Sequence, residues 1–352
     1  MPDGDQGPLV VAEWVPPPVG PALRVLDQTQ LPQAERYLMV RSVAEVVDAI
    51  RRLVVRGAPL LGIVGAYGVA LAAARGEDVP AAARVLSTAR PTAVNLARGV
   101  EVARGAWSQA VPAHRAAAAL SQARRLVADD RAASRAMTAR GLSLVPADAR
   151  ILTHCNTGAL VSGGEGTALA VVLAAHRAGR VGHLWVDETR PLLQGARLTA
   201  WEAGRAGVPH SVLVDGAAGS LMARGLVDLV VVGADRVAAD GSVANKVGTY
   251  PLAVLAAYHG VPFVVVAPAS TIDLDCADGA GIEVEQRAPA EVTECAGRPV
   301  APPASPAYNP AFDVTPPGLV TALVTEHDVA RPVDRRSVRR AAGVAPVPDR
   351  AG

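Results

Sequence analysis

The sequence predicts an α/β protein: a doubly wound parallel sheet preceded by a mainly helical domain with a small sheet at its start. The first observation is a rhythm that begins at Ala149. Short apolar runs recur as ILTHC (151–155), HLWVDE (183–188), HSVLVD (210–215), DLVVVGAD (228–235) and PFVVVAP (262–268). Helical patterns at about 167–178, 195–206, 217–224 and 248–259 separate them. Strands alternating with helices at this spacing build a parallel sheet. The second observation is the Ala-rich character of the preceding chain. Leu60–Ala74, Thr92–Ala110 and Ala113–Arg140 read as helices. The strand-like runs Leu23–Leu26 and Arg36–Val40 come before them, on either side of the turn-like DQTQLPQ. The third is size: 352 residues suffice for one large and one smaller domain.

The expected boundaries follow. Residues 1–20, rich in Pro and Gly, read as a flexible N-terminus, and 21–140 as the helical domain. Residues 149–332 form the sheet domain, and the basic 333–352 a disordered tail. Ser42 caps a predicted helix through Arg56, since 43, 46, 47, 50, 53 and 54 are apolar at helical spacing.

Composition excludes several classes of function. The 34 basic and 33 acidic residues leave a net charge of +1, which recruits neither nucleic acid nor an anionic membrane. The opening MPDGDQGPLVVAEW lacks the features of a signal peptide, and no apolar stretch is suited to spanning a bilayer. Cys155, Cys276 and Cys295 show no metal spacing, and an odd number argues against a disulfide framework. A cytoplasmic protein is expected. Every basic residue but Lys246 is Arg. A lone Lys in such a chain marks a place where a compact ammonium is needed, or is the residue left by chance.

In a doubly wound sheet the site lies at the carboxyl ends of the strands. Those ends carry Cys155–Asn156, Asp187–Glu188, Asp215, Asp235–Arg236 and Pro268. Cys155 fits a catalytic thiol or a small buried hydrophobe. His154, facing the other side of its strand, is expected to be structural. The glycines of SGGEGT (162–167) open a helix and can bring N–H groups close to an anion. Gln194, before Gly195, is placed to hydrogen-bond a hydroxyl. Asp235 ends an apolar strand, where it is either paired with Arg236 or kept protonated as an acid. After an Asp240-Gly241 turn, Asn245-Lys246-Val247-Gly248-Thr249 is expected to start a helix, with Asn245 on a hydroxyl and Lys246 on a phosphate. Arg56-Gly57-Ala58-Pro59 stands where a helix should stop, and is either an anion site or an ordinary helix end. Arg90 precedes a Pro-initiated helix.

Together, RGAPLLGIVGAYG, RPTAVNL, THCNTGAL, GGEGTAL, VDETRPLLQGARLTAWE, VVGADRVAADGSVANKVGTYPLAVLA, APASTID and YNPAFDVTP resemble the methylthioribose-1-phosphate isomerase family. That family is related to the regulatory subunits of eukaryotic translation initiation factor 2B. The resemblance runs in the same order from about residue 14 to 332. It implies a Rossmann-like sheet domain, a small antiparallel sheet in the helical domain, a homodimer, no cofactor and no metal. The implied activity is aldose–ketose isomerisation of a sugar phosphate in methionine salvage. The implied catalytic residues are Cys155 and Asp235. Substrate contacts fall on Arg56, Gly57, Ala58, Arg90, Gln194, Asn245 and Lys246. The chain departs from the pattern at Thr157 and Ser162, where Ala and Thr are familiar. Glu165 replaces a common aromatic, which bears on the preference for the 5-substituent. Isomerisation of another ribose phosphate and a non-catalytic initiation-factor-like subunit are the competing readings.

Overall fold

The computed structural model describes residues 9–90, 93–295 and 297–345. Its contacts divide the chain into two compact units, Met1–Arg131 with Ala159–Gly166, and Ala132–Gly158 with Thr167–Gly352.

In the first unit β1 (Ala12–Val15), β2 (Ala22–Leu26) and β3 (Tyr37–Val40) make an antiparallel sheet in that order. β1 lies within the N-terminal segment expected to be flexible. It is held because Ala12 to Val15 pair with Val25 to Ala22, and the Trp14 ring stacks on Tyr67. α1 (Val43–Arg51) is capped as predicted, the Ser42 hydroxyl accepting the Glu45 N–H at 3.2 Å. It ends before Arg56, because Leu53 turns into the left-handed region at φ 61°. Arg56-Gly57-Ala58-Pro59 therefore opens a helix instead of closing one. Gly57, at φ 91°, is the N-cap of α2 (Ala58–Ala74), with Pro59 in the first turn. α3 (Val79–Ser87), capped by Asp78, escaped the sequence reading, and α4 (Val94–Gln109) follows. α5 (Arg115–Leu142) passes into the second unit at Ala132.

α2 is buried from Leu60 to Ala72, and apolar on every side, as a central helix must be. Its contact with α4 is backbone to backbone. A Cβ on Gly99 would stand 2.1 Å from the Gly62 carbonyl oxygen, and one on Gly62 would stand 2.8 Å from that of Asn95. Glycine permits this approach and nothing larger does.

The second unit runs β4 (Ala149–Thr153), α6 (Ala168–Arg177), β5 (Val181–Asp187), α7 (Ala200–Arg205), β6 (His210–Leu213), α8 (Ala218–Ala223) and β7 (Leu229–Val232). Next come β8 (Arg236–Ala238), β9 (Val243–Lys246), α9 (Thr249–His259), β10 (Phe263–Val266), β11 (Ile272–Asp273) and α10 (Ala290–Thr293). β12 (Glu294–Cys295), β13 (Arg298–Pro299), β14 (Phe312–Thr315), β15 (Ala322–Val324), β16 (Val329–Ala330) and α11 (Arg335–Ala341) complete it.

The main sheet has the order β16-β15-β10-β7-β4-β5-β6, parallel apart from β16. From β6 to β15 this is the doubly wound order in which the chain starts in the middle, builds outward to one side, then returns to build the other. All five expected strands are there. One core cluster gathers Ile151, Val171, Val186 and Val231, and the other Leu152, Val230, Phe263 and Leu323. A second sheet, β11-β8-β9-β14, and the β12–β13 pair were not foreseen.

The tail also differs from expectation over its described part. Asp334 and Ser337 form a reciprocal capping box for α11, and Ser337, Val338 and Ala341 are buried. The Thr325 hydroxyl donates to the Ala341 carbonyl at 2.7 Å. The basic residues that suggested disorder lie around this apolar anchor.

Gly99→Ala should lower stability by roughly 1–3 kcal/mol, since a methyl group must displace helix backbone. The midpoint of thermal unfolding measures the loss, and an unchanged midpoint would contradict the contact.

Candidate active site

β4 and β7 are neighbours, and the chain builds away from β4 in both directions. The crevice of a doubly wound sheet opens at this reversal, beyond the carboxyl ends of the two strands. Cys155 follows β4 and Asp235 follows β7.

Cys155 is buried, with the backbone at φ 63°. Its N–H donates to the Thr189 hydroxyl at 2.9 Å, and its carbonyl accepts from the Thr199 hydroxyl at 2.5 Å. Next to it, Asn156 Nδ2 donates to Glu202 Oε1 at 2.7 Å and Thr199 Oγ1 at 3.2 Å. The Thr157 hydroxyl accepts the Leu169 N–H at 3.0 Å, so the family's unfamiliar Thr here caps α6.

His154 is buried, as its expected structural role requires. Nε2 lies 2.9 Å from the Val247 carbonyl oxygen and Nδ1 lies 2.9 Å from Asp187 Oδ2. A carbonyl only accepts, so Nε2 carries a proton. Burial alone would depress the imidazole pKa, but the hydrogen bond and charge of Asp187, with the Val247 carbonyl, outweigh it and raise it. Burial raises Asp187 more strongly than His154 lowers it. Both directions mean that the pair retains a proton. Asp215 lies close by and accepts the N–H groups of Thr189 and Arg190, each at 2.7 Å.

β8 and β9 form a hairpin closed at Asp240-Gly241, where Asp240 Oδ1 accepts the Ser242 N–H at 2.8 Å. Arg236 pairs with Ala244, and the Asp235 N–H donates to the Ala244 carbonyl at 2.9 Å. One step further along this register stand Asp235 and Asn245, with Lys246 next. The Arg236 guanidinium bonds Asp273 through Nε at 3.0 Å and through Nη2. Asp235 itself is half-buried.

Asn245 and Lys246 are buried at the end of β9; they do not begin a helix. The ladder to β14, pairing Lys246 with Phe312 and Asn245 with Asp313, keeps them extended. α9 starts later, behind Gly248 at φ 107°, where a Cβ would meet the His154 ring at 2.7 Å. Asp313 accepts the Gly248 and Tyr250 N–H groups at 2.7 and 3.0 Å. Asn245 Nδ2 donates to the Thr249 hydroxyl at 3.0 Å.

Gln194 heads a wide helical turn, Gly195–Thr199, in which the Ala200 N–H reaches back five residues to the Gly195 carbonyl. Such turns are rare and recur at functional sites. Gln194 is buried, and its Oε1 has no hydrogen-bond partner among the described residues.

In the first unit, Gly57 and Ala58 lie at the N-terminus of α2, which has no side-chain cap, and Arg56 precedes them. Arg90 ends the stretch before α4, its carbonyl accepting the Ala93 N–H at 3.0 Å. Pro91 and Thr92, read as the start of that helix, lie outside the described residues. The glycine loop does not offer its amides to an anion. Asp130 Oδ2 accepts the Gly163 N–H at 2.7 Å and the Ser162 hydroxyl at 2.5 Å, and Ser162 Oγ accepts the Gly164 N–H at 2.8 Å. A carboxylate of the chain already fills that role.

The family model described as the initiation factor 2 subunit family matches residues 54–332. A methylthioribose-1-phosphate isomerase from Anaeromyxobacter dehalogenans is 54% identical over 312 residues, covering 88% of this chain and 91% of that one. The chain belongs to the initiation factor 2 subunit family, among its methylthioribose-1-phosphate isomerases. The crystal structure of a 5-methylthioribose 1-phosphate isomerase from Pyrococcus horikoshii superposes with a TM-score of 0.87 at 37% identity, covering 96% of each chain. That of the translation initiation factor eIF-2B, subunit delta, from A. fulgidus gives 0.82 at 38% identity, over 96% of this chain and 100% of that one.

Of the residues that the isomerase resemblance singled out, Cys155, Gln194, Asp235, Asn245 and Lys246 lie in the second unit. Arg56, Gly57, Ala58 and Arg90 lie in the first. The sequence reading missed the Thr199 and Asp313 side chains. Thr199 sits mid-pattern in a helix and left no signal. Asp313, in YNPAFDVTP, lies far along the chain from the helix it caps. His154, Asp187 and Asp215 bring donor atoms within 4.8 Å of one another, the makings of a cation site. Asp215 spends both oxygens on amides, however, and a proton joins Asp187 to His154. The cluster serves as a hydrogen-bonded knot.

A group whose folded pKa lies above its unfolded one stabilises the fold below the unfolded value and loses that contribution as pH rises through the folded value. For His154 the contribution is full below the ordinary 6.5 and is lost above it. Asp187, also raised, acts in the same direction. The stability advantage of the wild type over a His154→Gln, Asp187→Asn double variant should therefore shrink as pH rises above 6.5. Urea unfolding across that range measures it, and an advantage that grows with pH would refute the shared proton.

Proposed function

We propose that the chain is an aldose–ketose isomerase that converts 5-methylthioribose 1-phosphate to 5-methylthioribulose 1-phosphate in methionine salvage. The observation that carries this reading is the position of Cys155 and Asp235 beyond adjacent strands at the reversal of a doubly wound sheet, in a chain about half identical to enzymes of that name.

Phosphate on the anomeric oxygen of such a substrate blocks the free ring opening on which aldose–ketose isomerases rely. As the C1–O4 bond breaks, O4 must gain a proton. One hydrogen then moves from C2 to C1, and the C2 hydroxyl gives up its proton to leave the ketone. Asp235 donates to O4. The engagement of Arg236 with Asp273 supports this role, since it leaves that guanidinium committed elsewhere. Cys155 acts at C2, either as a thiolate base or beside a direct shift of hydrogen to C1. Lys246 offsets phosphate charge, and Asn245 and Gln194 bind hydroxyls. By the family resemblance Arg56, Gly57, Ala58 and Arg90 are substrate contacts, and the α2 N-terminus, without a side-chain cap, suits an anion.

A homodimer belongs to the same reading, supported by exposed Tyr250, Val254 and Tyr258 at four-residue spacing on α9. The second reading, a non-catalytic regulatory subunit, is favoured by the likeness to the eIF-2B delta chain. Incubation with 5-methylthioribose 1-phosphate, with the ketose followed by NMR, separates the two.

Cys155→Ala and Asp235→Asn should each reduce kcat by at least about a hundredfold while the fold persists, because each removes a group that moves hydrogen. Steady-state kinetics beside circular dichroism tests both, and near-normal kcat in either variant removes that residue from the mechanism. Lys246→Arg should lower kcat/KM about tenfold or more despite keeping its charge, since a planar fork does not fit where a compact ammonium does. Wild-type kinetics in this variant would make the lone Lys an accident of composition.

A further inference from the structure

Cys155 is a side-chain-bearing residue in the left-handed region, a conformation that persists where the surroundings over-determine it. Two threonine hydroxyls do so. The Thr189 hydroxyl spends its one proton on the Asp187 carbonyl at 3.0 Å, which leaves it to accept the Cys155 N–H. The Thr199 hydroxyl spends its proton on the Cys155 carbonyl and accepts from Asn156 Nδ2. Both hydroxyls are fully oriented, and both residues are buried. The two polar groups of the Cys155 backbone thus lie in a clasp from opposite sides.

The wide turn explains how Thr199 comes to be there. Its hydrogen bond spans five residues, so one more residue fits into the turn than an α-helix allows. In such a turn the backbone hydrogen bonds join residues five apart. Gln194 and Thr199 stand at that separation, so one turn carries both the buried, unpartnered amide oxygen and the hydroxyl on Cys155. Thr199 and Glu202, three residues apart, lie on one face and together grip Cys155 and Asn156.

We propose that Thr189 and Thr199 are positioning residues that set the direction of the Cys155 thiol, with Thr199 delivered by the wide turn that Gln194 heads. This rests on the reading that Cys155 serves the isomerisation. Loss of the clasp misplaces the thiol without removing a substrate contact, so the effect falls on kcat and spares KM.

The test uses the full chain with 5-methylthioribose 1-phosphate. Thr199→Val should lower kcat about a hundredfold with KM changed less than about threefold, and Thr199→Ser, which restores the hydroxyl, should return kcat to within about threefold. Thr199→Ala carries the same expectation should the valine variant fail to fold. Unchanged kcat in the valine or alanine variant, a loss confined to KM, or a serine variant as slow as valine overturns the proposal. Inactive wild type would instead defeat the functional reading, and the clasp is then read from the thiol itself. The rate of iodoacetamide labelling at Cys155, measured by peptide mass with Cys295 as internal reference, should change about tenfold or more in Thr199→Val. An unaltered ratio overturns the proposal in that case too.

Discussion

The second unit depends on one topological constraint: the chain begins its main sheet in the middle. Because β4 is laid down first and β7 returns to its other side, two loops that are far apart in sequence leave neighbouring strands at the same end. The loop after β4 leads through α6 to β5 on one side of β4, while β7 lies on the other. The loop after β7 leads into the β8–β9 hairpin, whose register carries Asn245 back beside Asp235, with Lys246 next. In doubly wound sheets ligands bind in the crevice at such a reversal, and the residue types there are read against that rule.

A largely buried polar knot ties together the strand ends on one side of this reversal. His154 joins the end of β4 to Asp187 at the end of β5 and to Val247 just before α9. Asp215, after β6, holds the amides of the Thr189–Arg190 turn. The ends of β4, β5 and β6 are thereby bonded in turn, and most of the polar atoms buried there find partners, Asp187 Oδ1 being an exception among the described residues.

The main sheet was legible because parallel strands buried on both faces must be continuous apolar runs, which ILTHC, DLVVVGAD and PFVVVAP are. The places of Cys155, Gln194 and Asp235 were legible in the same way, since each follows an apolar run, whereas Asn245 and Lys246 lie inside β9 of the hairpin. What sequence did not announce depends on partners remote in the chain. β8, β9 and β14 are short, and Asn245-Lys246 reads as a helix start until β14 is known to pair with it. The glycine loop suggests an anion site until Asp130, more than thirty residues earlier, is found to occupy it. α1 ends early because Leu53 adopts a backbone conformation that no spacing of apolar residues encodes. The wide turn is a matter of one hydrogen bond running five residues instead of four.

α11 bears on where this domain ends. Similarity to the family model stops at residue 332, yet Val338 and Ala341 belong to the same apolar cluster as Leu323 and Ala330. Family likeness and burial thus draw two different borders, and only the second is energetic. A chain trimmed at the first would uncover apolar surface of β15 and β16 and take from the Thr325 hydroxyl its 2.7 Å bond to the Ala341 carbonyl, leaving the 3.3 Å bond to that of Asp328. Antiparallel β16 is the last strand of the sheet, so the trimmed product would expose apolar surface beside an open strand edge, the combination from which edge-to-edge aggregation grows. In this chain the segment after the recognisable family pattern is a seal on the sheet, and solubility, more than catalysis, is what its removal would cost.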